Sequence, residues 1–403
     1  MKFLTKWALA LLPGLALATP AMALLPAGQA DLSQPGSVLV FPKFLNLSPV
    51  TVDGVPMPRT EIEIGAVCPA GVACTEHQTV KVRLHWVCPA VEGVNSNICR
   101  ETDFDLVLSI DGKLAFPADG AVPGTYWTNA QSVPAPPCLR GYLIAWVVNS
   151  GDLPIKFDGL IGNAVIRNPN IVDAVGTRST GLSSYSALGI QADPALGNGL
   201  GITTTGTGGL IFDGGAGHYT QITGQFAGDV RFDKTATGIP LPNVLSKTYI
   251  TFLTLDVRSN QPNNPTMVPL QFWNESAAGV SSTNPAFERL ISSSWEFICW
   301  DQVNLASDSI TGLCGPGTGC IDANLTQAAY TTRKGIVRTG QAVKIADGNA
   351  PGDDVGNVTL LGLIETIEGT PGNFFLERKY NFNVNVIGPP IATIFLPFPA
   401  SVP

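Results

Sequence analysis

The sequence predicts an all-β protein of two tandem antiparallel β-sandwich domains joined by a long Gly/Thr-rich connection. Three observations predict it. Alternating or wholly apolar short runs recur along the chain. In Thr79–Cys88 (TVKVRLHWVC), Val80, Val82, Leu84 and Trp86 share one face while Lys81, Arg83 and His85 share the other, the two-residue period of a strand. Glycine (43 residues) and proline (32) punctuate a chain without long 3.6-residue periodicity, so many turns join many strands. Spacings also recur between the halves: Ile62 to Val82 and Ile250 to Leu270 are each 20 residues, and Phe104 to Ile144 and Phe297 to Val337 are each 40. Gly159-Leu160-Ile161-Gly162 likewise has a counterpart in Leu360-Leu361-Gly362-Leu363.

Taken in order, residues 1–23 read as an export signal. Lys2 and Lys6 form the charged end, Ala8–Leu17 the apolar core and Ala21-Met22-Ala23 the cleavage site. The apolar run is broken by Pro13-Gly14 and is shorter than the roughly 20 residues a membrane span needs. No cysteine sits just past the cut, which argues against a lipoprotein. Cleavage removes two lysines and no acid, moving the net charge from −8 to −10. An acidic chain without basic clusters is poorly equipped for nucleic acid or anionic membrane surfaces. Charged residues are 13% of the chain, against about 25% in ordinary domains, so little repulsion opposes self-association or burial against a partner.

Residues 24–175 are read as the first sandwich. Ser37–Leu45 contains Pro42, which marks an edge strand or a bulge. Glu61–Val67 alternates with Ile62 and Ile64 inward, and Asp103–Ile110 with Phe104, Leu106 and Leu108 inward; Asp111-Gly112 is a hairpin signal. The centre is Gly141–Arg167. Tyr142–Val148 are seven consecutive apolar residues, a strand buried on both faces. Asn149–Asp152 form a turn, with Gly151 available for positive φ, and the run from Ile155 to Ile166 completes a β-hairpin.

Residues 176–240 are read as the Gly/Thr-rich connection, carrying a hairpin near Leu210–Phe212 and Tyr219–Phe232. Residues 241–403 form the second sandwich, with strands at Thr248–Val257, Thr266–Trp273, Ser294–Leu305, Gly335–Val343 and Asn357–Ile367. The apolar tail Asn381–Pro403 is either the last strand of its own sandwich or an arm that docks on a neighbouring molecule.

Eight cysteines follow the signal: Cys68, Cys74, Cys88, Cys99, Cys138, Cys299, Cys314 and Cys320. An even number in an exported chain makes disulfides the default. Cys68–Cys74 and Cys314–Cys320 each enclose a five-residue turn-rich loop and read as local staples. Cys88 pairs either with Cys99, leaving Cys138 and Cys299 to each other, or with Cys138, leaving Cys299 paired elsewhere or free. The absence of a C-x₂-C pair and the wide separation of His77, His85 and His218 argue against zinc.

Catalytic equipment is sparse. His85 shares its face with Lys81 and Arg83 and reads as solvated, and His218 lies in a Gly-rich turn. No serine sits in a G-x-S-x-G elbow, and the glycines of Gly197–Gly217 lack the lysine and helix of a phosphate loop. Asp347, Asn349, Asp353 and Asp354 gather oxygen donors in one loop, a calcium candidate set against ordinary turn chemistry. No other cofactor is expected. Glu296, Asp301, Glu365 and Glu368 read as solvent-facing strand residues rather than glycosidase pairs. Tyr126-Trp127 is either core or an aromatic platform for a sugar, with core packing favoured.

PGSVLVFPKF (Pro35–Phe44), GYLIAWVVN…FDGLIGNAVIR (Gly141–Arg167), TFLTLDVRSN (Thr251–Asn260) and FICWDQVNL (Phe297–Leu305) resemble blocks in a group of uncharacterised exported bacterial β-rich proteins. The resemblance implies export and a bacterial source, and brings no catalytic motif. The expectation is thus a non-enzymatic secreted, cell-surface or periplasmic protein with a structural, adhesive or assembly role. Its expected partners are itself, other surface proteins or a glycan, with no nucleic acid and no membrane span after signal cleavage. The alternative is a carbohydrate-binding module or carbohydrate-active enzyme with its site on loops.

Overall fold

The computed structural model describes residues 34–47, 51–52, 55–56, 59–75, 77–90, 97–167, 171–172, 178–179, 182–193, 209–222, 224–231, 245–258, 260–274, 288–305, 334–346, 355–369, 376–381 and 394–395. They form strands, turns and no helix, so none has a helix long and apolar enough to cross a membrane. The export signal, Cys314, Cys320, the calcium candidates Asp347, Asn349, Asp353 and Asp354, and most of the tail lie outside the described residues.

The strands are β1 (Val38–Leu45), β2 (Thr51–Val52), β3 (Val55–Pro56), β4 (Arg59–Ala66), β5 (Thr79–Val87), β6 (Glu101–Ser109), β7 (Lys113–Pro117), β8 (Arg140–Val148), β9 (Leu160–Arg167), β10 (Ile171–Val172), β11 (Arg178–Ser179), β12 (Leu182–Ser186) and β13 (Leu188–Ile190). There follow β14 (Leu210–Ile211), β15 (Ala227–Arg231), β16 (Leu245–Leu253), β17 (Thr266–Asn274), β18 (Glu288–Phe297), β19 (Trp300–Asn304), β20 (Lys334–Thr339), β21 (Val343–Lys344), β22 (Gly356–Asn357), β23 (Leu361–Gly369), β24 (Leu376–Asn381) and β25 (Ile394–Phe395). All pairings are antiparallel.

Sheet one has the order β13-β1-β8-β5-β6 and sheet two β12-β9-β4-β7. Sheet three runs β15-β20-β17, with β18 also on β17, and sheet four β19-β16-β23-β24. Replacing β1, β8, β5 and β6 by β15, β20, β17 and β18 turns sheet one into sheet three. Replacing β12, β9, β4 and β7 by β24, β23, β16 and β19 turns sheet two into sheet four. The 20- and 40-residue spacings fall on these same strands: β4 to β5 and β16 to β17, β6 to β8 and β18 to β20.

Strands β1 and β8 of sheet one are buried on both faces. Leu39, Phe41, Val82, Leu84, Leu143 and Val147 meet Ile62, Ile64, Leu160 and Ile166 of sheet two. The opposite face, with Val38, Val40, Tyr142, Ile144 and Trp146, is covered by Leu188, Ile190, Leu210, Phe212 and Tyr219 and, from the C-terminal half, Leu253, Leu255, Val257 and Trp300. This explains why β8 is apolar at every position from Tyr142 to Val148: it lies between β1 and β5 with a core on either side. A third core, including Ile250, Phe252, Leu270, Phe272 and Val337, fills the space between sheets three and four.

Several expectations are corrected. β8 and β9 do not form a hairpin. After a brief Val148–Pro154 bridge the chain leaves sheet one, and β9 pairs with β4 and β12 in sheet two. In the intervening turn Asp152, not Gly151, takes positive φ, and the Asn149 side chain accepts from the Gly151 and Leu153 amides. Asp111-Gly112 likewise carries the chain from β6 in sheet one to β7 in sheet two. The single strand expected over 294–305 breaks at Ile298-Cys299, where Cys299 has positive φ (65°), and its halves join sheets three and four. In each case one loop moves a strand between layers, because alternation reports which side is buried but not which sheet supplies the neighbour.

Pro42 sits at a bulge in an interior strand, where the register between β1 and β8 shifts between Phe41 and Phe44. The Tyr185 hydroxyl accepts from the Lys43 amide at 3.1 Å and donates to the Lys43 carbonyl, satisfying both groups the bulge releases. From the C-terminal half, Trp300 Nε1 donates to the Pro42 carbonyl (2.8 Å) and Glu365 pairs with Lys43 Nζ (2.6 Å).

Disulfides join Cys68 to Cys74, Cys88 to Cys138 and Cys99 to Cys299. The Cys88–Cys99 pairing is thereby excluded, and the link between halves uses Cys99 rather than Cys138. Ile394–Phe395 of the tail pair with Leu210–Ile211 of the same chain.

Candidate functional site

The densest polar constellation lies across β5 and β6. Their register sets Arg83 opposite Asp105, His85 opposite Asp103 and Val87 opposite Glu101. A two-residue period places Lys81, Arg83 and His85 on one face of β5, and Glu101, Asp103 and Asp105 on the same face of β6. A cationic strand thus lies against an acidic one. Arg83 grips Asp105 with two hydrogen bonds (3.0 and 3.1 Å) and reaches Asp152 at 3.0 Å, while Lys81 lies 2.9 Å from Asp105 and 2.6 Å from Asp152. Hydrogen bonds to Asp105 and Asp152 raise the Lys81 pKa. Burial works to raise Asp105, but hydrogen bonds from Arg83 and Lys81 outweigh it and hold the carboxyl below its usual range.

His85 corrects the sequence expectation most sharply: it is 0% exposed. This face of sheet one is covered, and the imidazole lies against the Trp146 ring with centroids 4.5 Å apart. Burial, seconded by Arg83, pushes its pKa well below the usual histidine value, so the ring is neutral. Nδ1 contacts Glu101 Oε1 and lies 3.0 Å from Asp103 Oδ1. Burial pushes Asp103 up to about 6, against the opposing charge of Arg83. The Glu101 side chain is buried (1% exposed). It is carried inside because β6 starts where the C-terminal half covers the chain. Cys99 is joined to Cys299, Ile98 bridges Pro262, and the amides of Asn260 and Asn263 donate to the carbonyls of Cys99 and Asn97. His85, Glu101 and Asp103 are the His/Cys/Asp/Glu group of the described residues whose donor atoms lie within 4.8 Å of one another.

A second feature is an open cleft of about 760 Å³. Arg100, Leu139, Arg140, Phe297 and Asp301 are among its walls, and the Arg140 guanidinium lies 5.6 Å from the centroid of the buried Trp300 ring. Among the described lining residues Asp301 is the only carboxylate, so the described part of the cleft brings together no pair of carboxyl groups.

Other candidates are dispersed. Glu365 is buried against Lys43 and Gln302, not solvent-facing. Glu296 is exposed on β18, and Asp301 accepts from Trp295 Nε1 at 3.0 Å. His218 Nδ1 lies 2.6 Å from Asp213, a pair closing a tight turn. Trp127 overturns the core reading: it is 77% exposed, whereas Tyr126 is half-buried and its hydroxyl accepts from Arg59 Nη2 at 2.8 Å. Sequence reasoning missed the acidic face of β6. Its signal was present in Glu101, Asp103 and Asp105 at alternate positions, complementary to the face already noted on β5.

No family model and no curated protein matches the chain. Among solved structures, a viral chemokine binding protein, R17, encoded by rodent gammaherpesvirus Peru, aligns over 89% of this chain and 87% of that one at 12% identity, with a TM-score of 0.14. A correspondence this loose bears on neither fold nor function.

Proposed function

We propose that the chain is an exported, non-enzymatic bacterial protein with a structural, adhesive or assembly role at or beyond the cell surface. The observation that carries this reading is the loop between β7 and β8. Val122 and Trp127 project from it into solvent, and Leu139 is exposed at its end. The loop is nonetheless firmly held: Ala121 and Val133 are bridged, the Trp127 carbonyl accepts from the Ala115 amide at 2.9 Å, and Cys138 is tied to Cys88. Fixed apolar side chains left in water fit a surface that a partner covers. The signal-like N-terminus, the disulfides and the resemblance to exported bacterial proteins support the same reading.

Expression with the native N-terminus in a bacterial host is expected to yield an exported chain beginning at Leu24. An uncleaved cytoplasmic product overturns export. Size-exclusion chromatography and electron microscopy of the mature chain are expected to show self-association that Trp127→Ser weakens without lowering Tm. A strictly monomeric protein whose surface binding is unchanged by Trp127→Ser overturns the adhesive role. The exposure of Trp127 also favours a second reading, a sugar-binding platform, for which glycan-array binding abolished by the same substitution is the test.

A further inference from the structure

We propose that His85, Glu101 and Asp103 form a binding site for one divalent transition-metal ion of the zinc class, clamping edge strand β6 to β5. This goes beyond the functional reading above and is independent of it. It also departs from the sequence expectation, which sought zinc in cysteine pairs and clustered histidines. Here the donors are one imidazole nitrogen and two carboxylates, drawn together by strand register.

Three observations carry the proposal. The donor atoms already lie within 4.8 Å of one another, with His85 Nδ1 beside both carboxylates. Neutral imidazole with carboxylate oxygen is a ligand set for zinc and its neighbours, whereas calcium prefers oxygen alone. Second, Glu101 is buried and its Oε2 accepts no hydrogen bond among the described residues, while its Oε1 faces His85. A buried carboxylate oxygen that no donor reaches is costly, and a coordinated cation removes that cost. Third, the charges of this face are unbalanced. Lys81 and Arg83 are engaged by Asp105 and Asp152. Among the described residues, His85 is the only basic side chain within ion-pair distance of Glu101 or Asp103. The two carboxylates at this end of the face are therefore matched by a single divalent charge. Asp103, 30% exposed at its side chain, gives the ion a route from solvent.

The test uses the full mature chain, with any affinity tag removed, stripped by EDTA and titrated with ZnCl₂ by calorimetry. One equivalent is expected to bind and to raise Tm, and CoCl₂ is expected to give the visible d–d bands of a low-coordinate nitrogen/oxygen site. Asp103→Asn, at a partly exposed position that preserves side-chain shape, is expected to fold normally and to weaken zinc binding about 100-fold. Glu101→Gln should weaken it at least as much, and Asp213→Asn, in a remote turn, should leave it unchanged. Failure of the folded wild-type chain to take up zinc overturns the proposal. So does wild-type affinity in both Asp103→Asn and Glu101→Gln, or a calcium preference over zinc.

Discussion

Trp146 and His85 lie side by side in one interior, and both are expected to be sensitive to truncation. Trp146→Ala empties a site closed on all sides, which costs about 3–5 kcal/mol. His85→Ala removes the group facing the buried Glu101 carboxylate, so a loss of about 1–3 kcal/mol is expected instead of the near-silence of a surface position. Denaturant midpoints of the two variants measure both. Tyr142 and Tyr185 set the behaviour in alkali. Burial pushes both phenols far above the ordinary value of about 10. The folded state keeps these protons at pH values where the unfolded chain loses them. Their contribution is thus fully present below about pH 10 and falls as pH rises further. Tyr142→Phe and Tyr185→Phe should each flatten the decline of stability between about pH 10 and 12, read from urea midpoints across that range.

The bulge in β1 is the element that ties the halves together. It frees the Lys43 backbone for Tyr185, turns Lys43 Nζ toward Glu365, and leaves the Pro42 carbonyl for Trp300. Lys43→Met strands the Glu365 carboxylate in the interior beside Gln302, for an expected loss of about 3–5 kcal/mol. Adding Glu365→Gln should restore part of that loss, since a neutral amide is cheaper to bury than an unpaired charge. A double-mutant cycle in denaturant, with the double variant more stable than Lys43→Met alone, is the expected result. The edge of β6 shows a different device. The Gln131 amide accepts from the Val107 N–H (2.6 Å) and donates to its carbonyl (2.9 Å), occupying the place of a further strand. Gln131→Ala should open this edge and increase concentration-dependent association by light scattering.

At the scale of the whole molecule, the strand order repeats while the chemistry does not. The charged ladder of β5 and β6 belongs to the first half; its counterpart β17 carries Pro269, Gln271 and Trp273 instead. The halves share the core that includes Trp146, Leu253 and Trp300, and they are cross-linked by Cys99–Cys299 across 200 residues of sequence. Closing so long a loop in the unfolded chain gives this disulfide a large expected share of stability. Cys99→Ser with Cys299→Ser should cost about 2–5 kcal/mol in thermal or denaturant unfolding.

The longer strands, the inward faces of β4, β5 and β6, the two-sided burial of β8 and the spacing shared by the halves were legible in the sequence; β7 was not, nor were β12 and β13, which lie inside the segment read as a connection yet complete sheets two and one. The legible features are local: a two-residue period or a continuous apolar run is written into consecutive side chains. Which sheet each strand joins was not, because Asp111-Gly112 and Asn149–Asp152 read as hairpin turns whether the chain folds back or crosses over. The burial of His85 and Glu101 was not legible either. Alternation predicts that one face of β5 is polar, and a polar face is ordinarily wet. Only the arrival of residues from the other half, held by Cys99–Cys299, makes the His85–Glu101 end of that face interior and sets a buried imidazole and carboxylate beside the partly exposed Asp103.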